Sequence, residues 1–479
     1  MASRRARLAR LPDELRSLDP GTWLWGRPPS LPPGARLAPS PPPLPLLGHF
    51  HAFGRGPERL RKVLTLRERY GDLVRLRFGG IQAHLVASPE IVQEVLHTRN
   101  REFDKHTRGT YKLRLVLGLG LLTSEGRFWL RQRRISQPAF HRKKIASFAD
   151  RMVNAAEETC AEWREGEAFD VHEAMMRLTL RVVSETLLGT AVTNDAATVG
   201  AALDVVIADV NRRVNQLVEL PPPIPTRHNR RFMEAMGTLD RIVLEIIEER
   251  RRSGIERDDL LQMLMDTRDA ETGERMDDAQ LRDEVMTIFL AGHETTANAL
   301  SWSLYLLAKS PEVARKLRAE VRGALGDRRA TFEDLRALPY TRQVIEEAMR
   351  LYPPAWMIAR APVADTELGG YFVPKRNLLL LSPWVVHRHP DYWRDPEGFD
   401  PDRFAPEARA THHRFQYFPF GGGPRLCIGN NFALMEAQLV LATLAQRWHL
   451  ELVPGRDVVA EPLVTLRPRG GLWMTPRRP

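Results

Sequence analysis

Cysteine is almost missing: only Cys160 and Cys427 occur among 479 residues. That excludes a disulfide framework and points to a cytoplasmic chain with reduced thiols. No apolar run reaches the roughly 18 residues that a membrane span needs. The opening MASRRARLARLPDELRSLDP has no apolar core, so it is not a secretory signal. Its early arginines are those of a transit peptide, but Asp13 and Glu14 argue against import. Zinc-type Cys/His spacing is absent, as is any interleaving of aromatic with basic residues. The net charge of +10, from 70 Lys and Arg against 60 Asp and Glu, therefore does not point to nucleic acid. An acidic partner surface or an arginine-rich genome accounts for it equally well. No internal repeat is present.

Proline, by contrast, is concentrated. Residues 28–45, PPSLPPGARLAPSPPPLP, can form neither helix nor central strand and read as an extended lead-in. This divides the chain into an N-terminal arm, 1–39, and a single domain, 40–479. A helix is expected over 56–70, followed by a hairpin in LVRLRFGGIQAHLVAS, where Val74, Leu76 and Phe78 alternate with Arg75 and Arg77. Residues 89–352 read as mostly helical, broken at GLGLLTSEG and LPPPIPTRHN. The polar DTRDAETGERMDDAQ is a surface loop that caps the next helix. Strand-like runs return over 362–381 and in PLVTLRPRGGLWMTP. The fold class is mainly α with small β-sheets.

Three stretches carry chemistry. In LRDEVMTIFLAGHETTANALSWSLYLLAKS, 281–310, apolar residues cover nearly the whole circumference, which marks a long buried helix. Its middle holds Gly292, Glu294, Thr295 and Thr296, poor helix formers whose presence suggests a local distortion. Glu294 is either a structural carboxylate or, beside Thr295, the acid of a proton relay. In TRQVIEEAMRLYPP, Glu347 and Arg350 share one helix face among apolar neighbours, with Arg403 of FDPDRF as a possible third member. In FPFGGGPRLCIGNN, Gly421, Gly422 and Gly423 let the backbone approach something flat or bulky. Cys427 follows at or near a helix start, where the dipole favours a thiolate. Read alone it is a buried bystander, a nucleophile or a metal ligand. Cys160, in MVNAAEETCAEW, is a small hydrophobe.

The combination is more specific than any part. Phe420, Gly423, Arg425, Cys427 and Gly429 resemble the F-x-x-G-x-R-x-C-x-G haem-binding signature of the cytochrome P-450 family. AGHETT resembles that family's oxygen-binding helix motif, EAMR its E-x-x-R, PDRF its P-x-R-F, and FWLRQRR its W-x-x-x-R, in the family's order. The similarity runs from about residue 40 to the end. It implies the cytochrome P-450 fold, a large helical body with a smaller β-rich region, binding haem b. Thiolate ligation is the type case of that family, so Cys427 would bind the iron. Phe420 would pack beside the sulfur, with Gly421 and the N–H groups beyond Cys427 around it. Arg425, Trp129, Arg133 and, on a looser motif, Arg360 would hold the propionates. Gly429 would serve helix packing. Glu347, Arg350 and Arg403 would be structural, while Thr295 would hydrogen-bond the oxygen being activated and Glu294 would bring protons.

The resemblance also implies an oxygen-dependent monooxygenase acting on a hydrophobic molecule: a fatty acid, terpene, steroid or polyketide. Substrate contacts would come from Leu113, Leu117, Ala291, Trp356, Met357, Val464 and Leu466. Electrons would come from a separate ferredoxin and ferredoxin reductase. The ferredoxin would dock on the basic run Arg127, Arg131, Arg134, Arg142, Lys143 and Lys144, and the enzyme is expected to be a monomer. A peroxide-driven peroxygenase and a non-catalytic haem sensor are the alternatives. Glu294 and Thr295 argue against both.

Overall fold

The computed structural model describes residues 32–478 apart from 46, 188, 190–195, 216–221, 255 and 258. The expected arm over residues 1–27, and the start of the break at 220–221, lie outside the described residues. Where described, the proline-rich lead-in turns at residues 33–34, with Ala35 N donating to Pro32 O at 3.1 Å, and holds no helix. Pro39 O accepts from Arg75 N at 2.8 Å and Arg36 O from Phe372 N at 2.8 Å, and Ala38 is buried.

Alternation of apolar and charged residues produces the expected hairpin, β1 (Leu73–Phe78) and β2 (Ile81–Val86), with Leu73 opposite Val86. The strands β3 (Phe103–Asp104), β4 (Ile358–Pro362) and β5 (Leu378–Leu381) complete a five-stranded sheet in the order β1–β2–β5–β4–β3. Only β2 and β5 pair in parallel. This sheet joins distant parts of the chain and presents Arg360 from β4. A second hairpin, β6 (Ala460–Pro462) and β7 (Leu466–Pro468), comes from the tail.

The helical body begins with α1 (Glu58–Tyr70), α2 (Arg108–Leu117), α3 (Gly126–Ser136) and α4 (Ala149–Glu162). Next come α5 (Val171–Leu187), α6 (Ala196–Asn215) and α7 (Arg227–Ser253). The series ends with α8 (Asp278–Lys309), α9 (Pro339–Leu351) and α10 (Asn430–Arg447). Helix α8 starts at a capping box: Asp277 accepts from Gln280 N at 2.8 Å and Gln280 returns the bond at 3.2 Å. Twenty of its side chains are buried, so it is the axis of the core as its all-round apolarity requires. Helix α8 runs unbroken through AGHETT, with no interruption of the α-helical pattern at its midpoint. Thr295 and Thr296 donate to the carbonyls of Ala291 and Gly292, at 2.7 and 3.0 Å, and so follow the helix rather than interrupt it. Gly292 has a packing reason instead: a Cβ there would meet Val183 of α5 at 3.0 Å.

Two acids of α8 fix the loop that leads to α3. Asp283 accepts from Leu119 N at 2.8 Å and Glu284 from Leu121 N at 3.0 Å. Burial, aided by Asp283, pushes the Glu284 carboxyl up from 4.5 to about 8. The folded chain therefore keeps a proton that the unfolded chain releases once pH passes 4.5. The stability this contributes is full below pH 4.5 and is lost as pH rises towards 8. Glu284→Gln is expected to flatten the decline in thermal stability across that window. An unchanged decline in the variant contradicts the assignment.

Candidate active site

The segment between β5 and α10 ends in the cysteine loop. Gly421 and Gly423 have φ of 71° and 63°, values that favour glycine. A Cβ at Gly423 would lie 1.7 Å from Leu96 O, so backbone meets backbone there. The loop closes through Cys427 N to Phe420 O at 3.0 Å and Leu426 N to Gly423 O at 3.1 Å. The helix-packing role expected of Gly429 is not found, because a Cβ there would meet only Phe140 at 3.8 Å. Gly429 instead forms the N-terminal cap position of α10 and directs its N–H at the Cys427 thiol.

A buried ion pair stands behind this loop. Arg350 donates to Glu347 through Nε at 2.7 Å and Nη2 at 2.8 Å, and both side chains are fully buried. Arg403 lies 3.4 Å from the same carboxylate, and Asp400 N donates to it at 2.9 Å. Arg350 also donates to the carbonyls of His387, Pro396 and Gly398. Burial and the arginines nearby hold the His387 imidazole well below its usual pKa. It is therefore neutral, and its Nε2 accepts from Phe418 N at 3.0 Å. The pair thus reaches the cysteine loop through His387, a link that the sequence does not advertise.

Cys427 lines a cavity of about 1910 Å³, and its accessible surface faces that space. Burial raises its pKa, opposed by the Gly429 N–H and by Arg133 and Lys105. At the cavity edge four cations converge: Lys105, Arg133, Arg360 and Arg425. Arg425 donates to Glu125 at 2.5 Å and to Ser124 O at 3.0 Å, with its guanidinium 3.7 Å from the Trp129 ring centroid. Arg133 donates to Leu426 O at 3.0 Å, Arg360 to Ala359 O at 2.8 Å, and Lys105 to Leu122 O at 3.1 Å. Burial and mutual repulsion hold the Lys105 ammonium well below its usual range, and burial lowers Arg360 and Arg425 to about 10. Glu125 acts on Lys105, Arg360 and Arg425, and Asp104 also acts on Arg360, so among the described residues cations outnumber carboxylates here. The next nearest acid, Asp104, is engaged by His106 and Arg376 at 2.7 and 2.6 Å. Such an excess beside a thiol fits a group that brings two carboxylates and a metal, which haem b does. Lys105 and Glu125 escaped the sequence reading, since no motif marks them.

Helix α8 also lines the cavity with Ala291, exposed although its helix is core, and Thr295. Glu294 is buried, and its Oε1 accepts from Thr465 Oγ1 at 2.6 Å. Leu113, Leu117, Trp356, Met357 and Val464, named above as substrate contacts, also line the cavity. Leu466 does not: it is fully buried in the core between β1, β2 and β5, because the strand β7 turns alternate side chains inward. Phe420, Gly421, Trp129 and Arg133 are on the wall; Glu347, Arg350 and Arg403 lie behind it. Of the basic run expected to meet a ferredoxin, Arg131 pairs with Glu274, and Arg134 with Asp269 and Glu271. Arg127, Arg142 and Lys143 are exposed. No described helix is long and apolar enough to cross a membrane.

A cysteine lining a cavity, a cation cluster short of anions and a buried helix lining the same cavity fit a haem-thiolate protein. The chain belongs to the cytochrome P450 family, whose pattern it matches over residues 38–474. It is 40% identical over 420 residues to cyclooctat-9-en-7-ol 5-monooxygenase of Streptomyces melanosporofaciens, covering 87% of this chain and 90% of that protein. Pentalenene oxygenase of Streptomyces avermitilis is 35% identical, with 89% and 94% covered. The crystal structure of the cytochrome P450DA haem domain superposes with a TM-score of 0.86 at 30% identity, covering 93% of this chain and 98% of that one. The protein is a cytochrome P450 monooxygenase, an oxidoreductase that binds haem b.

The cation cluster has a consequence of two signs. Lys105→Met would remove one cation able to make a charge-assisted bond to a haem carboxylate, about 1.5–3 kcal/mol, so haem loss to a scavenger should be roughly ten- to a hundredfold faster. The haem-free variant should be no less stable than the haem-free parent, because repulsion among the cations falls. Haem loss at the parent's rate excludes Lys105 from the cluster's role.

Proposed function

We propose that the protein hydroxylates a terpene-class hydrocarbon or alcohol, with O2 as the oxygen source and electrons from a separate ferredoxin and its reductase. The overall change consumes the substrate R–H, O2, NAD(P)H and one proton, and yields R–OH, water and NAD(P)+. The observation that carries this reading is the cavity: about 1910 Å³, shared between a cofactor and an apolar space walled by Leu113, Leu117, Ala291, Met357 and Val464. Terpene-named relatives at 35 and 40% identity support the same class.

Haem supplies oxygen activation and its cysteine ligand favours O–O cleavage. The protein's part is to hold, exclude and deliver. Cys427 holds the iron, with the Gly429 N–H and Phe420 beside the sulfur. Arg425, Arg133, Arg360 and Lys105 hold the propionates, with Trp129 stacked beneath Arg425. Apolar walls orient the substrate and keep water out. Thr295 presents its hydroxyl to the reaction space, and Glu294 supplies protons from a position where burial raises its pKa, so that it carries a proton more readily than an exposed glutamate. Glu347, Arg350 and Arg403 fix the cysteine loop. For the partner, exposed Arg127, Arg142 and Lys143 supply the positive face, and the enzyme works as a monomer.

A screen of sesquiterpene and diterpene hydrocarbons and alcohols for the low-spin to high-spin Soret shift should find ligands. Turnover with a surrogate ferredoxin system should then give hydroxylated product, while peroxide alone should not. Thr295→Ala is expected to consume NAD(P)H with little product. Tight coupling in that variant, or product from peroxide alone, contradicts the reading.

A further inference from the structure

The acid of α8 is tied to a different element from the one that carries its alcohol. Glu294 Oε1 accepts the Thr465 hydroxyl proton at 2.6 Å, inside the protein. Asn298, one turn along α8, donates Nδ2 to the same hydroxyl oxygen at 3.3 Å. A threonine hydroxyl has one proton to give, so Thr465 spends it on the carboxyl of Glu294. Thr295 meanwhile donates to Ala291 O at 2.7 Å. In this arrangement Glu294 is held towards the tail hairpin.

The turn that holds it is also a wall of the substrate space. Leu463, Val464 and Thr465 line the cavity between β6 and β7. Side chains from three other elements hang on this turn. Trp356 Nε1 donates to Leu463 O at 2.8 Å, and Asn211 of α6 accepts from Val464 N at 2.6 Å. Trp302 of α8 donates to Leu466 O at 2.9 Å. A ligand pressing on Val464 therefore bears on the residue next to the one that grips the acid.

We propose that Thr465 is a positioning residue, a latch that holds Glu294 on the hairpin turn until substrate against Val464 shifts the turn and frees the carboxyl for the reaction space. The inference rests on the reading of Glu294 as proton donor and makes its delivery depend on occupancy, which protects the empty site from wasteful oxygen reduction. The groups facing Glu294 are consistent with a carboxyl whose proton affinity the latch controls. Burial favours the protonated form, Thr465 and Arg467 of β7 favour the charged form, and Asp204 of α6 opposes it. Releasing Thr465 removes a bond to the charged form, so the freed acid binds its proton more tightly.

Infrared titration of the protonated-carboxyl band in the haem-loaded enzyme tests this without turnover, with Glu294→Gln assigning the band. Thr465→Val should move the titration midpoint to higher pH, and Thr465→Ser should leave it at the parent value. A sesquiterpene or diterpene hydrocarbon that shifts the Soret band should move the parent's midpoint the same way and leave that of Thr465→Val in place. At saturating substrate, product formed per NAD(P)H should fall several-fold in Thr465→Val and recover in Thr465→Ser. A parent midpoint that ignores substrate, or a valine variant that titrates like the parent, overturns the latch. Failure of every terpene to be hydroxylated would overturn the substrate reading while the titration of Thr465→Val still judges the latch.

Discussion

A cluster of cations that outnumbers its carboxylates cannot rest at the wall of an apolar cavity unless something else brings the missing negative charge. Among the described residues Lys105, Arg133, Arg360 and Arg425 are balanced by Glu125 and, at Arg360, by Asp104, which His106 and Arg376 also engage, and burial depresses all four. The cost of holding them together is met only when a dianionic group enters. The cavity wall next to them, ending in Cys427, is shaped by the same requirement. The charge imbalance and the thiol describe one ligand from two directions.

Everything that positions these residues is rigid and remote in sequence. Helix α3 brings Trp129 and Arg133, the strand β4 brings Arg360, and the loop before α10 brings Arg425 and Cys427. Gly423 lets that loop press on the backbone at Leu96. The Glu347–Arg350 pair, through His387, fixes its other side. Helix α8 supplies a lining of the cavity that is apolar except at Thr287, Thr295, Thr296 and Glu294. A wall of this kind leaves chemistry to a few groups whose orientation is decided by neighbours.

Much of this was legible in the residues. Alternation in LVRLRF marked a strand, the all-round apolarity of 281–310 marked the core helix, and the glycines before Cys427 marked a close approach. Local patterns failed where the information is spatial. Lys105 and Glu125 belong to no spacing rule, and they matter because folding brings them to residues more than 200 positions away. Leu466 looked like a pocket residue from its apolar neighbours, but it opens strand β7 with its side chain in the core, while Arg467 beside it and Val464 in the preceding turn line the cavity. The AGHETT midpoint suggested a break in the helix. The helix is nevertheless continuous, and its hydroxyls are satisfied one turn back.

The claim on which the account stands is that Cys427 is the cavity's iron ligand, not a buried bystander. The ferrous carbonyl complex of the haem-loaded protein measures it most directly. The parent should show the red-shifted Soret band of a thiolate-ligated haem. Cys427→Ser should bind haem between the same cations and lack that band. A red-shifted band that survives in Cys427→Ser would contradict the account.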